Sequence, residues 1–189
     1  MGIEMVGTAP GDRLGNSSVI QGPRLDLVLL SGALLDACLA DDLPRAHQLA
    51  EFAFPDGLAR DDECVGLRRS QVLADPAWEP WSLRAIVLRS EQRMVGTTSF
   101  HGPPGVNSLD TPGAAEVGYT VFPEFRRRGY GTETCRATLE WARREHGVRH
   151  FISSIEPSNA PSIRVIEKLG FIPMGLMVDG EAIFQLRVP

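Results

Sequence analysis

Residues 121–135 read VFPEFRRRGYGTETC, and no other stretch of the chain restricts its fold as much. Arginines side by side repel one another, and two glycines this close destabilise a helix or strand interior. The segment makes sense as a strand ending at Phe122, a glycine-containing turn, and a helix starting near Gly131. The first turn of such a helix presents unpaired N–H groups, and the macrodipole adds partial positive charge there. Glycine lets the backbone approach a ligand closely. An anion at that position gains about 0.3–2 kcal/mol from the dipole, and neighbouring guanidinium groups add charge-assisted hydrogen bonds. The three arginines therefore fit a partner with several negative charges.

Two common phosphate sites are excluded. A P-loop ends in Gly-Lys-Ser/Thr, a triplet absent from this chain. A dinucleotide fingerprint needs a third glycine where Thr134 stands.

The rest of the chain alternates between strand and helix signals. RLDLVLLS reads as a strand, GALLDACLADDL and PRAHQLAEFAF as helices, and DDECVGLRRSQVLA as a weaker third helix. DPAWEPW reads as a loop with two surface tryptophans around Glu79. SLRAIVLRS and RMVGTTSF make a hairpin, and AAEVGYTVF a strand that Pro123 ends. The helix after the arginine turn has an apolar stripe of Cys135, Thr138, Leu139 and Ala142, with Gly147 placed for a left-handed cap. VRHFISSI is a strand, and NAPSIRVIEKLG a helix with Asn159 as N-cap and Pro161 in its first turn. Asp179-Gly180 joins the last two strands as a hairpin. The order predicts one α/β domain of the α+β type: a mixed, mostly antiparallel sheet of about 6–7 strands with helices on both faces.

A length of 189 residues fits one domain, residues 24–189, preceded by a flexible extension over 1–23 that is rich in Gly, Ser and Pro. The net charge of -5 argues against a general nucleic-acid binder. Cys38, Cys64 and Cys135 have neither disulfide-framework nor zinc spacing, which fits a reducing, cytoplasmic setting without a bound metal. The most apolar run, residues 25–40, is short and carries Asp26 and Asp36, so no membrane span is expected.

Arg126-Arg127-Arg128-Gly129-Tyr130-Gly131 resembles the Gln/Arg-x-x-Gly-x-Gly/Ala signature of the GNAT superfamily of acetyl-CoA-dependent N-acetyltransferases. The strand EVGYTVFPEF before it and SSIEPSNAPSIRVIEKLGF after it stand where the family has them, and the resemblance covers about residues 24–188. EVGY, RRRGYGTE and VIEKLGF most resemble the branch that contains the ribosomal-protein N-terminal acetyltransferases. The resemblance implies acetyl-CoA as co-substrate, with Arg126, Arg127, Arg128, Gly129, Tyr130, Gly131 and Thr132 at the pyrophosphate. Asn159 would meet the pantetheine, and a backbone N–H near Thr120 or Val121 the thioester oxygen. Asn159 is an equally good helix cap.

It further implies direct attack of a primary amine, from a protein N-terminus or a small molecule, on the thioester. Glu116 is the candidate base, alternatively a residue that salt-bridges or positions substrate. Many relatives have a Tyr acid where this chain has Ile166, so Ser162 is the candidate substitute. Trp78, Glu79 and Trp81 are candidates for the acceptor end, and the tryptophans are equally candidates for core anchors. His101 is a loop residue or a second proton carrier. A module that binds acyl-CoA without transfer is the alternative function, and a homodimer, the family's habit, is an alternative to a monomer.

Overall fold

The computed structural model describes residues 18–55, 58 and 64–189. Its strands are β1 Val19–Gln21, β2 Leu25–Leu29, β3 Arg84–Leu88, β4 Arg93–Phe100, β5 Ala114–Val121, β6 His150–Ile155, β7 Ile172–Val178 and β8 Glu181–Arg187. The helices are α1 Gly32–Leu39, α2 Leu43–Leu49, α3 Cys64–Ala74, α4 Tyr130–His146 and α5 Ala160–Lys168, with short 3-10 turns at Pro76–Trp81 and Pro123–Phe125. They form an eight-stranded sheet in the order β1-β2-β3-β4-β5-β6-β8-β7. All neighbours are antiparallel except β5 and β6.

One strand more is present than the sequence pattern suggests. β1 lies within residues 1–23, the expected extension, yet pairs with β2 and buries Ile20. Three residues among Gly, Ser and Pro carry no readable alternation. Residues 1–17 of that extension, and residues 61–63 of the expected third helix, lie outside the described residues.

Period-two alternation divides the core between two faces. Leu25, Leu27, Ile86, Leu88, Val117 and Val121 pack with Tyr130, Leu139, Trp141 and Ala142 of α4. Ala85, Val87 and Met94 pack with Leu34, Leu35 and Cys38 of α1, and with Ala46 of α2 and Val65 of α3. Local capping fixes where the helices begin. Ser31 accepts from the Leu34 N–H at 3.3 Å, Asp42 from the Arg45 N–H at 3.1 Å, and Asn159 from the Ser162 N–H at 3.2 Å. Gly147 ends α4 with φ 66°.

Two features go beyond what the sequence pattern decides. DPAWEPW is a 3-10 turn capped by Asp75, whose carboxylate accepts from the Ala77 N–H at 2.9 Å. Within it Trp81 is a core residue, 5% exposed, with its ring edge-on to Phe100 at 5.1 Å and to Trp141 at 5.3 Å. The turn folds the indole inward, where the apolar area it buries outweighs any surface role.

Gly96 of β4 stands opposite Val121 of β5. A Cβ there would stand 2.0 Å from the Thr120 carbonyl oxygen, a backbone atom that cannot swing aside. Gly96→Ala is expected to cost about 1–3 kcal/mol by overpacking, read from urea unfolding at an unchanged m-value.

Candidate functional site

β5 and β6 pair only from Ala114 to Glu116, opposite His150 to Ile152. Beyond Glu116 β5 continues on β4 alone, as far as Val121, so the two parallel strands open into a gap. Phe122 N–H donates to Val95 O and His101 N–H to Glu116 O, both at 2.9 Å. That places Val117, Tyr119 and Val121 in non-hydrogen-bonded pairs with β4. The N–H groups of Tyr119 and Val121 therefore point into the gap, whereas Thr120 bonds back to β4. Of the two expected oxyanion donors, the geometry suits Val121.

The turn leading into α4 lies at the end of the same strand. Gly129 occupies its N-cap position with φ 81°, in the left-handed region that favours glycine, and makes no side-chain cap. Arg127 has φ 63°. Gly131 answers a different need: a Cβ there would lie 2.8 Å from Tyr119 Cε2, so glycine lets α4 settle against β5. Tyr130 is buried under the Arg24 guanidinium, 4.8 Å from its ring, and can offer a ligand only its backbone. Arg126, Arg127 and Arg128 are exposed. Arg126 Nε donates to Val121 O at 2.9 Å, which aims that side chain back along the gap. Thr132 is half-buried in the first turn of α4.

Glu116 is wholly buried on β5, and its carboxylate is enclosed. The Ser108 N–H donates to Oε2 at 2.6 Å, and the Ser108 hydroxyl lies 2.9 Å from Oε1 and 2.8 Å from Oε2. The Ser154 hydroxyl of β6 donates to Oε1. His101 Nδ1 is 3.4 Å from Oε2, and the imidazole is 40% exposed. Burial, and secondarily Arg68, lower the His101 pKa, against the opposing pull of Glu116. Arg68 of α3 also fixes the His101 backbone, donating to its carbonyl at 2.8 Å and to Ser99 Oγ at 3.3 Å.

Beside His101 is a shallow recess lined by Arg68, Gln71, Trp78, Trp81 and Gly102. Trp78 packs so closely on Gly102 that a Cβ there would be 2.7 Å from the indole. Of the three residues expected at the acceptor end, Trp78 and Trp81 line this recess, whereas Glu79 is exposed outside it. On the far side of the gap, the Tyr119 hydroxyl donates to Ser162 Oγ at 3.4 Å. Burial pushes the Tyr119 phenol up to about 12, so it keeps its proton at neutral pH. Cys135, buried behind it, is pushed up to about 12 as well and is no nucleophile at neutral pH. Ile166, in the usual Tyr position, is core.

Sequence reasoning did not single out Ser108, Ser154 or Arg68. The one available hint was the polar pair Ser153-Ser154 in an otherwise apolar strand. Among the described residues, no group of three or more His, Cys, Asp or Glu could hold a metal, and no helix is long and apolar enough to cross a membrane.

β5 and β6 part beside the N-terminus of α4. The chain belongs to the acetyltransferase (GNAT) domain family, which residues 34–172 match. It is 29% identical over 85 residues to the uncharacterized N-acetyltransferase YnaD of Bacillus subtilis, 45% of this chain and 46% of that protein. The chain spans about half the length of the curated relatives it matches. Its fold is similar to that of ribosomal-protein-S5-alanine acetyltransferase from Vibrio fischeri, with TM-score 0.59 and 16% identity over 89% of this chain and 96% of that one. It is similar too to RimL, the ribosomal L7/L12 α-N-protein acetyltransferase, in complex with coenzyme A: TM-score 0.59 and 15% identity over 90% of this chain and 98% of that one.

Proposed function

We propose that this protein transfers the acetyl group of acetyl-CoA to a primary amine, by direct attack while both are bound. The observation that carries this reading is the gap between β5 and β6, which has the α4 terminus at one end and the enclosed Glu116 at the other. CoA pyrophosphate would rest on the N–H groups of Gly129 to Thr132 with Arg126, Arg127 and Arg128 around it. Pantetheine would run along β5 past Asn159, with the thioester oxygen at the Val121 N–H.

The amine nitrogen attacks the thioester carbon as its proton departs towards the Glu116 side. The carbon–sulfur bond then breaks, and the thiolate takes a proton from the Ser162 and Tyr119 hydroxyls or from water. An α-amine, with a pKa of about 7.7–8.0, asks less of the base than a lysine amine at about 10.4. A protein N-terminus or a small-molecule amine of low pKa therefore fits better than a lysine side chain. Support for a peptide acceptor also comes from the names of the structural neighbours, one a ribosomal-protein-S5-alanine acetyltransferase and the other a ribosomal L7/L12 α-N-protein acetyltransferase.

Replacing Arg126, Arg127 and Arg128 together by alanine is expected to raise the acetyl-CoA Kd by about 10–100-fold at low salt, since charge-assisted bonds contribute about 1.5–3 kcal/mol. Calorimetric titration measures it, and the loss should shrink as salt is added. Initial rates with acetyl-CoA and amine both varied test the transfer itself. Intersecting lines support a ternary complex; parallel lines would point to an acetylated enzyme. Tight binding of acetyl-CoA with no transfer to any amine would indicate a sensing module instead.

A further inference from the structure

Glu116 is enclosed by its neighbours. Its carboxylate has no exposed surface, and Ser108 and Ser154 hold it from two sides. A substrate amine cannot touch it. The remaining neighbour, His101, is in contact with the carboxylate through Nδ1 at 3.4 Å while two-fifths of its side chain is exposed.

Position completes the argument. Gly118 follows Glu116 on the same face of β5, in the direction of the gap, and a Cβ placed on it would lie 4.0 Å from His101 Nε2. The imidazole thus lies over a residue without a side chain, with Nε2 towards the open end. The recess of Trp78, Trp81 and Arg68 adjoins it. The His101 backbone is pinned by the Arg68 guanidinium and by its own N–H to Glu116 O at 2.9 Å, so the ring pivots about a fixed point.

Building on the transferase reading, we propose that His101 Nε2 is the atom that takes the proton from the acceptor amine, and that Glu116 is a positioning residue whose carboxylate, 3.4 Å from Nδ1, favours the proton on Nδ1 and so leaves the Nε2 lone pair free. In the balanced step, the amine nitrogen forms a bond to the thioester carbon and its proton passes to Nε2. The carbon–sulfur bond breaks with its electron pair on sulfur, the CoA thiolate takes a proton from water or from the Ser162 side, which solvent resupplies, and His101 returns its own proton to solvent. The charged groups facing His101 are Glu116 from β5 and Arg68 from α3. Burial, and after it the charge of Glu116, raise the pKa of Glu181 of β8. Burial and Arg68 keep His101 neutral at lower pH than an ordinary imidazole, which a base requires.

The test measures acetyl transfer to spermidine, an aminoglycoside and peptides with N-terminal serine or alanine, for wild type, His101→Ala and His101→Gln, with and without added imidazole. Both variants are expected to lose about 10²–10⁴-fold in kcat/KM with acetyl-CoA affinity unchanged, and imidazole should restore about tenfold or more to His101→Ala. The wild-type pH profile should lose rate as pH falls through a pKa below 6.5, a limb missing from His101→Ala. Nitrogen-15 spectra of the imidazole should show the proton on Nδ1 in the wild type at neutral pH. Wild-type transfer with His101→Ala equally active, or inactive without imidazole rescue, would overturn the assignment to His101 alone. An Nε2–H tautomer would do the same. Wild type that binds acetyl-CoA and acetylates none of these amines would overturn the transferase reading, and the role of His101 with it.

Discussion

Glu116→Gln is expected to lower kcat by about 10²–10⁴-fold, the range of a lost acid–base function, and to leave acetyl-CoA affinity within about twofold. The split follows from geometry. Glutamine has the same shape, can still accept the Ser108 N–H, and lies away from the α4 terminus where the cofactor phosphates would bind. What it lacks is the negative charge beside His101 Nδ1, which fixes the tautomer and stabilises the imidazolium. Steady-state kinetics and calorimetry on the same preparation measure both halves. Equal losses in turnover and acetyl-CoA binding would mean that Glu116 shapes the cofactor site instead.

Trp81→Ala is expected to cost about 3–5 kcal/mol, the usual range for a buried tryptophan emptied to a cavity. The indole is 5% exposed and holds three elements together: Phe100 at the end of β4, Trp141 of α4, and the 3-10 turn on which it sits. His146, 4.6 Å from the ring, closes the cluster at the end of α4. At roughly 2–4 °C per kcal/mol for a chain of this size, the melting temperature should fall by about 6–20 °C. A loss under about 1 kcal/mol would show that the turn repacks around the gap.

Punctuation made much of this molecule legible in its sequence. Gly129, Gly147, Asn159 and Asp179-Gly180 each demand a local backbone conformation, and the helix and hairpin boundaries fall where they stand. The arginine turn was legible because strand, glycine and helix signals are contiguous. β1 was not, since three residues show no period.

Nor was the enclosure of Glu116. Ser108 comes from a loop before β5 and Ser154 from β6 after α4, so their meeting depends on the parallel β5–β6 pairing rather than on any spacing. Proline and acid neighbours left Trp81 open to either a surface or a core place, because its burial depends on Phe100 and Trp141, far along the chain. Gly131 was noticed for the access it gives a phosphate, and the structure adds its contact with Tyr119.

The most direct test is to incubate the full chain with acetyl-CoA and the same mixture of polyamine, aminoglycoside and peptide N-termini, and to follow acetyl addition by mass spectrometry beside a calorimetric check of cofactor binding. The account predicts acetyl-CoA binding together with acetylation of at least one primary amine, slowed in Glu116→Gln. Cofactor binding with every amine unmodified would contradict it.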